Sequence, residues 1–223
     1  MLQYISDGVL NYYFHIGIEL ACSGYADEYN KPEEVYIPDK VGKYRVTMIS
    51  GGAFQGEKNL RKIKFTNSIH HIAAGAFQNC PNLEIVSIEN SGYGWNPLRF
   101  AKFAFRDCPK LKVISGYGRD VYLETRSITE CESLHAFPVK VVKIEGMAVA
   151  HCPELHDMEF AQNAELCDGA LEQSHIKQLC FDGNIVYPEG ITKWLPNHVK
   201  IHCLPNSNLV DLTYFGYSVE TEL

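Results

Sequence analysis

The stretch Ala53-Phe54-Gln55-Gly56-Glu57-Lys58-Asn59-Leu60 returns 23 residues later as Ala76-Phe77-Gln78-Asn79-Cys80-Pro81-Asn82-Leu83. It returns again as Ala104-Phe105-Arg106-Asp107-Cys108-Pro109-Lys110-Leu111, then Ser127-Ile128-Thr129-Glu130-Cys131-Glu132-Ser133-Leu134, then Ala148-Val149-Ala150-His151-Cys152-Pro153-Glu154-Leu155, at offsets of 28, 23 and 21. A degenerate copy opens at Ala170-Leu171-Glu172-Gln173-Ser174. In most copies the leucine is followed three and five positions later by apolar residues: Leu60, Ile63, Phe65; Leu83, Val86, Ile88; Leu134, Phe137, Val139; Leu155, Met158, Phe160; and, in the degenerate copy, Ile176, Leu179, Phe181. The last two positions of each set lie two apart, so on a strand they point to one side. A fixed period of this kind marks a repeat architecture. One such unit cannot bury its own apolar face, but stacked neighbours bury a continuous core.

Leu-x-x-Leu-x-Leu is the strand segment of a leucine-rich repeat. The expected fold is a single right-handed leucine-rich-repeat solenoid, β-rich with little helix, of about six repeats. Its strands form a parallel sheet on one face, and the Ala-Phe pairs pack on the opposite wall. The full motif Ala-Phe-x-x-Cys-x-x-Leu-x-x-Ile-x-Ile resembles the BspA-type leucine-rich repeat of bacterial and some protozoan surface proteins. The resemblance extends upstream to Val35-Tyr36-Ile37-Pro38 and Tyr44-Arg45-Val46-Thr47-Met48-Ile49, which look like the family's lead-in strand and turn. Downstream, Val199-Lys200-Ile201-His202-Cys203 and Asn206 to Gly216 look like its closing strand and short helix, with Ser207 as N-cap and Gly216 as stop. The chain then divides into an N-terminal cap (1–34), repeats (35–203) and a C-terminal cap with a short helix (204–223). Two departures stand out: Ser127-Ile128 in place of Ala-Phe, and Gly116 in place of a core apolar residue.

Hydrophobic residues make up 46% and charged residues 21%, the balance of a folded chain. A formal charge of -7 leaves no general excess of cations to neutralise phosphates, which argues against a nucleic-acid binder. No apolar run approaches the roughly 18–20 residues that span a bilayer, so no membrane span is expected. The start, Met-Leu-Gln-Tyr-Ile-Ser-Asp, has no basic region and does not read as a signal peptide. As written the chain is cytoplasmic, whereas the family resemblance implies the cell surface or secretion.

Of the eight cysteines, Cys80, Cys108, Cys131 and Cys152 share one repeat position. They read as a column of buried thiols acting as small hydrophobes, the alternative being a redox relay or metal string. His198 and His202 have the i, i+4 spacing of a metal pair. On a strand, however, they lie about 13 Å apart, and the adjacent His70 and His71 point to opposite sides. No metal site and no cofactor is expected. The chain contains no Gly-x-Ser-x-Gly, phosphate-binding glycine loop or His-Glu-x-x-His, so catalytic residues are expected to be none.

The remaining candidate is the sheet face. The outward positions run Lys62 and Lys64, Ile85 and Ser87, Val113 and Ser115, Ala136 and Pro138, Asp157 and Glu159, Gln178 and Cys180, Lys200 and His202. That order gives a basic end, an apolar and small middle, then an acidic patch; an apolar centre with a charged rim is the usual anatomy of a partner site. The longer offset places an insertion at Ser91-Gly92-Tyr93-Gly94-Trp95-Asn96-Pro97, beside Gly116-Tyr117-Gly118. Tyr93, Trp95 and Tyr117 would then form an aromatic edge to the sheet. The competing reading folds Trp95 back over the gap left by Gly116. The function expected is non-catalytic: a monomeric module that recognises a protein or glycan partner through this face. The resemblance implies adhesion to host proteins or other cells. An intracellular interaction scaffold is the alternative, and a Cys-His enzyme the third reading.

Overall fold

The computed structural model describes residues 4–89, 97–116, 120–187, 191–193, 195–196 and 198–221. The chain winds as a β-solenoid whose coils have three walls, where the sequence pointed to a single sheet face. The first wall begins with the parallel strands Glu34–Ile37, Lys62–Thr66, Ile85–Glu89 and Val113–Gly116. It resumes with the start of Lys140–Ile144 and the first half of Asp157–Leu166, then Gln178–Phe181, Lys200–Cys203 and Ser218–Thr221. The second wall runs from Tyr44–Ile49 through His71–Ile72, Leu98–Phe100, Asp120–Leu123 and Lys140–Ile144 to Ile185–Val186. Short strands on the third wall, Phe105–Arg106, Ile128–Thr129 and Val149–Ala150, pair in parallel. The long strand Asp157–Leu166 turns a corner without a break, pairing with Gln178–Phe181 on one wall and with Ile185–Val186 on the next.

The repeat explains the core directly. The inward pairs Ile63 and Phe65, Val86 and Ile88, Met158 and Phe160, and Leu179 and Phe181 are all buried. On the third wall the rings of Phe54, Phe77 and Phe105 stack with centroids 5.3 and 5.1 Å apart and planes within 2° and 4° of parallel. Ile128, Val149 and Leu171 continue that column, all buried. Ser127 holds its place in the ladder because its small side chain is fully buried and its hydroxyl reaches the Ala148 carbonyl, at 3.4 Å. The gap above Gly116 is filled in part by Ile88, whose Cδ1 lies 3.0 Å from where a Cβ on Gly116 would sit.

The cysteine column carries a bonding pattern that repeats with the coil. Cys80 donates to the Phe54 carbonyl at 3.0 Å, Cys108 to Phe77 at 3.1 Å and Cys131 to Phe105 at 3.0 Å. Each thiol thus ties its coil to the aromatic corner of the coil before it. A donating thiol is protonated, and these sulfurs are buried, the opposite of the exposed thiolate that a nucleophile needs. Hydrogen bonding to the Cys108 and Cys152 thiols, together with burial, holds Cys131 well above the ordinary thiol range.

The two ends of the stack are built differently from the coils between them. Tyr4–Ser6, Leu10–Ile16 and Glu19–Tyr25 form an antiparallel meander whose last strand joins the second wall in parallel with Tyr44–Ile49. At the other end a 3-10 helix spans Asn208–Phe215. Ser207 accepts from the Leu209 N–H at its start, and Gly216 ends it in the left-handed conformation, as the sequence led one to expect. The parallel sheet continues beyond this helix with Ser218–Thr221.

Candidate functional site

The outward residues of the first wall stand in rows set by strand register. One row reads Glu34, Lys62, Ile85, Val113, Ala136 and the next Tyr36, Lys64, Ser87, Ser115. Further along, Asp157, Gln178, Lys200 and Ser218 form a row beside Glu159, Cys180, His202 and Glu220. Ile85, Val113 and Ala136 are consecutive and half-buried, so the apolar centre is a contiguous strip across three coils.

The basic end is neutralised within the face. Lys62 pairs with Glu34 at 2.7 Å and Lys64 with Glu89 at 2.5 Å. Lys64 also lies 6.0 Å from the centre of the Tyr36 ring, itself 50% exposed. Glu34 and Tyr36 were overlooked in the sequence, although the alternation Glu34-Val35-Tyr36-Ile37 announces them as outward residues one strand before the first clear repeat. Asp157 and Glu159 are both exposed; Lys140 stands beside Glu159 in register and pairs with Asp182.

One coil departs from the expected strand. Ala136 makes a single bridge to Val113, and Val139 bonds back to the Phe137 carbonyl at 2.8 Å around Pro138. Proline has no N–H to donate to a ladder, so the wall is interrupted there and pairing resumes at Lys140. Pro138 is therefore an exposed turn residue and Ala136 a lone bridge partner. Tyr93, Trp95 and Tyr117 lie outside the described residues.

At the rim, Glu84 accepts from Lys112 at 2.9 Å and Arg61 at 2.7 Å, and Arg61 also reaches Glu33 at 3.6 Å. Hydrogen bonds from Lys112 and Arg61 hold the Glu84 carboxyl down at about 2. A depressed folded pKa means that this tie is intact above the ordinary glutamate value of about 4.3 and is lost as pH falls toward the folded one. We expect the Glu84 side-chain carbonyl to titrate near 2 by carbon-detected NMR. A midpoint near the ordinary value would mean that the three-coil bridge does not form in solution.

Among the described residues no group of three His, Cys, Asp or Glu side chains has metal-binding geometry. His202 is half-buried with Nδ1 3.5 Å from a Glu220 carboxylate oxygen. No helix among the described residues is long and apolar enough to cross a membrane.

The family model described as BspA type leucine rich repeat region matches the chain in six copies, over residues 28–115 and 98–189. No curated protein matches. Among solved structures, a leucine-rich repeat protein of T. pallidum is similar at a TM-score of 0.60 and 17% identity, covering 98% of each chain. A leucine rich cell surface protein from Faecalibacterium prausnitzii A2-165 has 14% identity and a TM-score of 0.47, covering 89% of this chain and 76% of that one. A leucine-rich repeat protein from Bacteroides ovatus ATCC 8483 has 16% identity and a TM-score of 0.46, covering 98% of this chain and 67% of that one. The first of these likenesses is one of fold.

Proposed function

Because the chain belongs to the BspA-type leucine-rich-repeat family, a family of interaction repeats, we propose that its first wall recognises a protein partner as an adhesion module. The observation that carries this reading is the strip Ile85, Val113 and Ala136, consecutive in register and half-buried, with ion pairs on either side. A solvated wall has no need of aliphatic side chains aligned across adjacent strands. Their apolar surface becomes useful when a second surface covers it, and the already paired rim charges exclude water around it without leaving an ion uncompensated. Tyr36 at one end and Asp157 with Glu159 at the other give the strip polar anchors that fix orientation. A parallel wall offers extended contact area across adjacent coils, so it suits a protein surface better than a small sugar.

The test is affinity capture with the purified chain, run in parallel on extracellular-matrix extract and on cytosol. The double change Ile85→Ser, Val113→Ser is the control, since Ser87 and Ser115 already occupy the neighbouring row. We expect it to weaken capture of a matrix protein by about tenfold or more, as loss of an interface centre does. Its melting temperature should stay close to wild type, because the changed side chains lie on the outside of the wall. Equal capture by both forms would remove the first wall from the binding surface. A partner retained only from cytosol would favour an internal scaffold over adhesion.

A further inference from the structure

The residue before the first position of each Ala-Phe corner adopts the left-handed backbone in all six coils: Gly52, Gly75, Phe103, Arg126, Met147 and Gly169, at φ of 53° to 67°. Glycine takes this conformation freely, and an L side chain there is strained. The outer coils use glycine. The three central coils carry Phe103, Arg126 and Met147 instead, so side chains are held outward, in line, where the stacking alone asks for none.

These side chains border two adjoining clefts on the third wall, and Arg126 lines both. The smaller, about 120 Å³, also involves Phe103 and His151. The larger, about 480 Å³ and open, has Lys102 and Arg126 from earlier coils, Met147 next, then Asp168 and Glu172 from the following coil. Arg61, Arg99 and Arg106 are each ion-paired. Arg126 has no ion pair among the described residues; its guanidinium donates from Nη2 to the Met147 sulfur at 3.5 Å. A guanidinium has five N–H donors in a fixed fork matched to a carboxylate. Lys102 is likewise without an ion pair among the described residues and lies 5.0 Å from the centre of the Phe103 ring.

We propose that the larger cleft is a second binding site, separate from the first wall, for an extended peptide segment presenting a carboxylate and an amine two residues apart, on the same side of its backbone. The carboxylate meets Arg126 and Lys102, the peptide backbone passes over Met147 with the middle side chain turned outward, and the amine meets Asp168 and Glu172. Adjacent coils are about 4.8 Å apart, so Arg126 and the Asp168 coil are separated by roughly 10 Å. At about 3.3 Å per residue an acid and an amine two residues apart on an extended peptide are separated by about 6.6 Å, and the long arginine and lysine side chains reach across the remainder.

The test uses methyl-labelled methionine and a blocked peptide with an Asp-Leu-Lys core between glycines, followed by NMR. The chain has four methionines, of which Met158 is buried and serves as the internal control. The expected result is a titratable shift of the Met147 methyl with no shift of Met158, and no response to the Asn-Leu-Gln peptide. Arg126→Gly removes the fork and relaxes the backbone at once. It is expected to melt no lower than wild type and to bind the peptide about tenfold more weakly or worse. The Ile85→Ser, Val113→Ser form should bind this peptide as wild type does, which separates this site from the first-wall reading. A silent Met147, an equal response to the uncharged peptide, or unchanged affinity in Arg126→Gly would each overturn the proposal. So would a clear fall in melting temperature for Arg126→Gly, since it would make Arg126 a structural prop.

Discussion

Replacing Phe77 with alanine is expected to destabilise the solenoid by about 3–5 kcal/mol, the range for deleting a large buried aromatic. Phe77 is fully buried and is the central ring of a stack, with Phe54 on one side and Phe105 on the other at 5.3 and 5.1 Å. Its removal therefore strips partners from two neighbouring rings as well as leaving a cavity. The cavity cannot collapse readily, because backbone bonds on either side fix the coil spacing: Phe54 N–H to the Ala76 carbonyl at 2.8 Å and Phe77 N–H to the Ala104 carbonyl at 2.9 Å. Cys108 also donates to the Phe77 carbonyl, so a shift of this corner disturbs the thiol column. Stability in a repeat array is carried by contacts between neighbours, so a defect here weakens two coil junctions at once. Urea denaturation gives the reading: the midpoint should fall at little-changed slope. An unchanged midpoint would show that the ring does not occupy this column.

Gly24→Ala is expected to cost about 2–6 kcal/mol, from backbone strain together with overpacking. Gly24 lies on the last strand of the N-terminal meander with φ at +109°, outside the range an L side chain adopts. A Cβ built there would sit 2.1 Å from the Ala53 carbonyl oxygen, and that obstacle is backbone, unable to swing aside. The meander must lift away from the first Ala-Phe corner to admit it. Tyr25, which packs edge-on to Phe54 with centroids 5.5 Å apart, would be pulled with it. The loss should therefore be concentrated at one end. Amide exchange should quicken first at Ser50, whose N–H bonds to the Cys22 carbonyl at 2.9 Å, while the central coils stay protected longer. Uniform protection across the chain would show that the meander does not dock where Gly24 places it.

The solenoid, its register and its core are legible in the order of residues alone. Ala-Phe, the recurring cysteine and Leu-x-x-Ile-x-Ile recur at matched positions, and the burial of such residues depends on their spacing along the chain, a local property. The cysteines read as small buried hydrophobes for the same reason, although their bonds to the preceding corner's carbonyl required the coil to be wound. The outward residues of the first wall were legible too, since alternation along a strand fixes which side a residue faces.

What those residues meet depends on how the coils stack. Lys62 and Lys64 read as a basic end, yet Glu34 comes from 28 residues before Lys62 and Glu89 from the next coil, and both lysines are neutralised. Pro138 occupies an outward position in the pattern but ends the ladder, because the missing N–H matters only where a neighbouring strand would receive it. The left-handed corner at Phe103, Arg126 and Met147 has no signature in those residue types. The bonds to the next coil impose it, as in Phe103 N–H to the Arg126 carbonyl at 3.0 Å and Met147 N–H to the Gly169 carbonyl at 2.8 Å. Spacing sets which side chains go in. Stacking sets which of the others come to stand together, because those neighbours lie a full coil apart in the chain and only a strand's width apart in space.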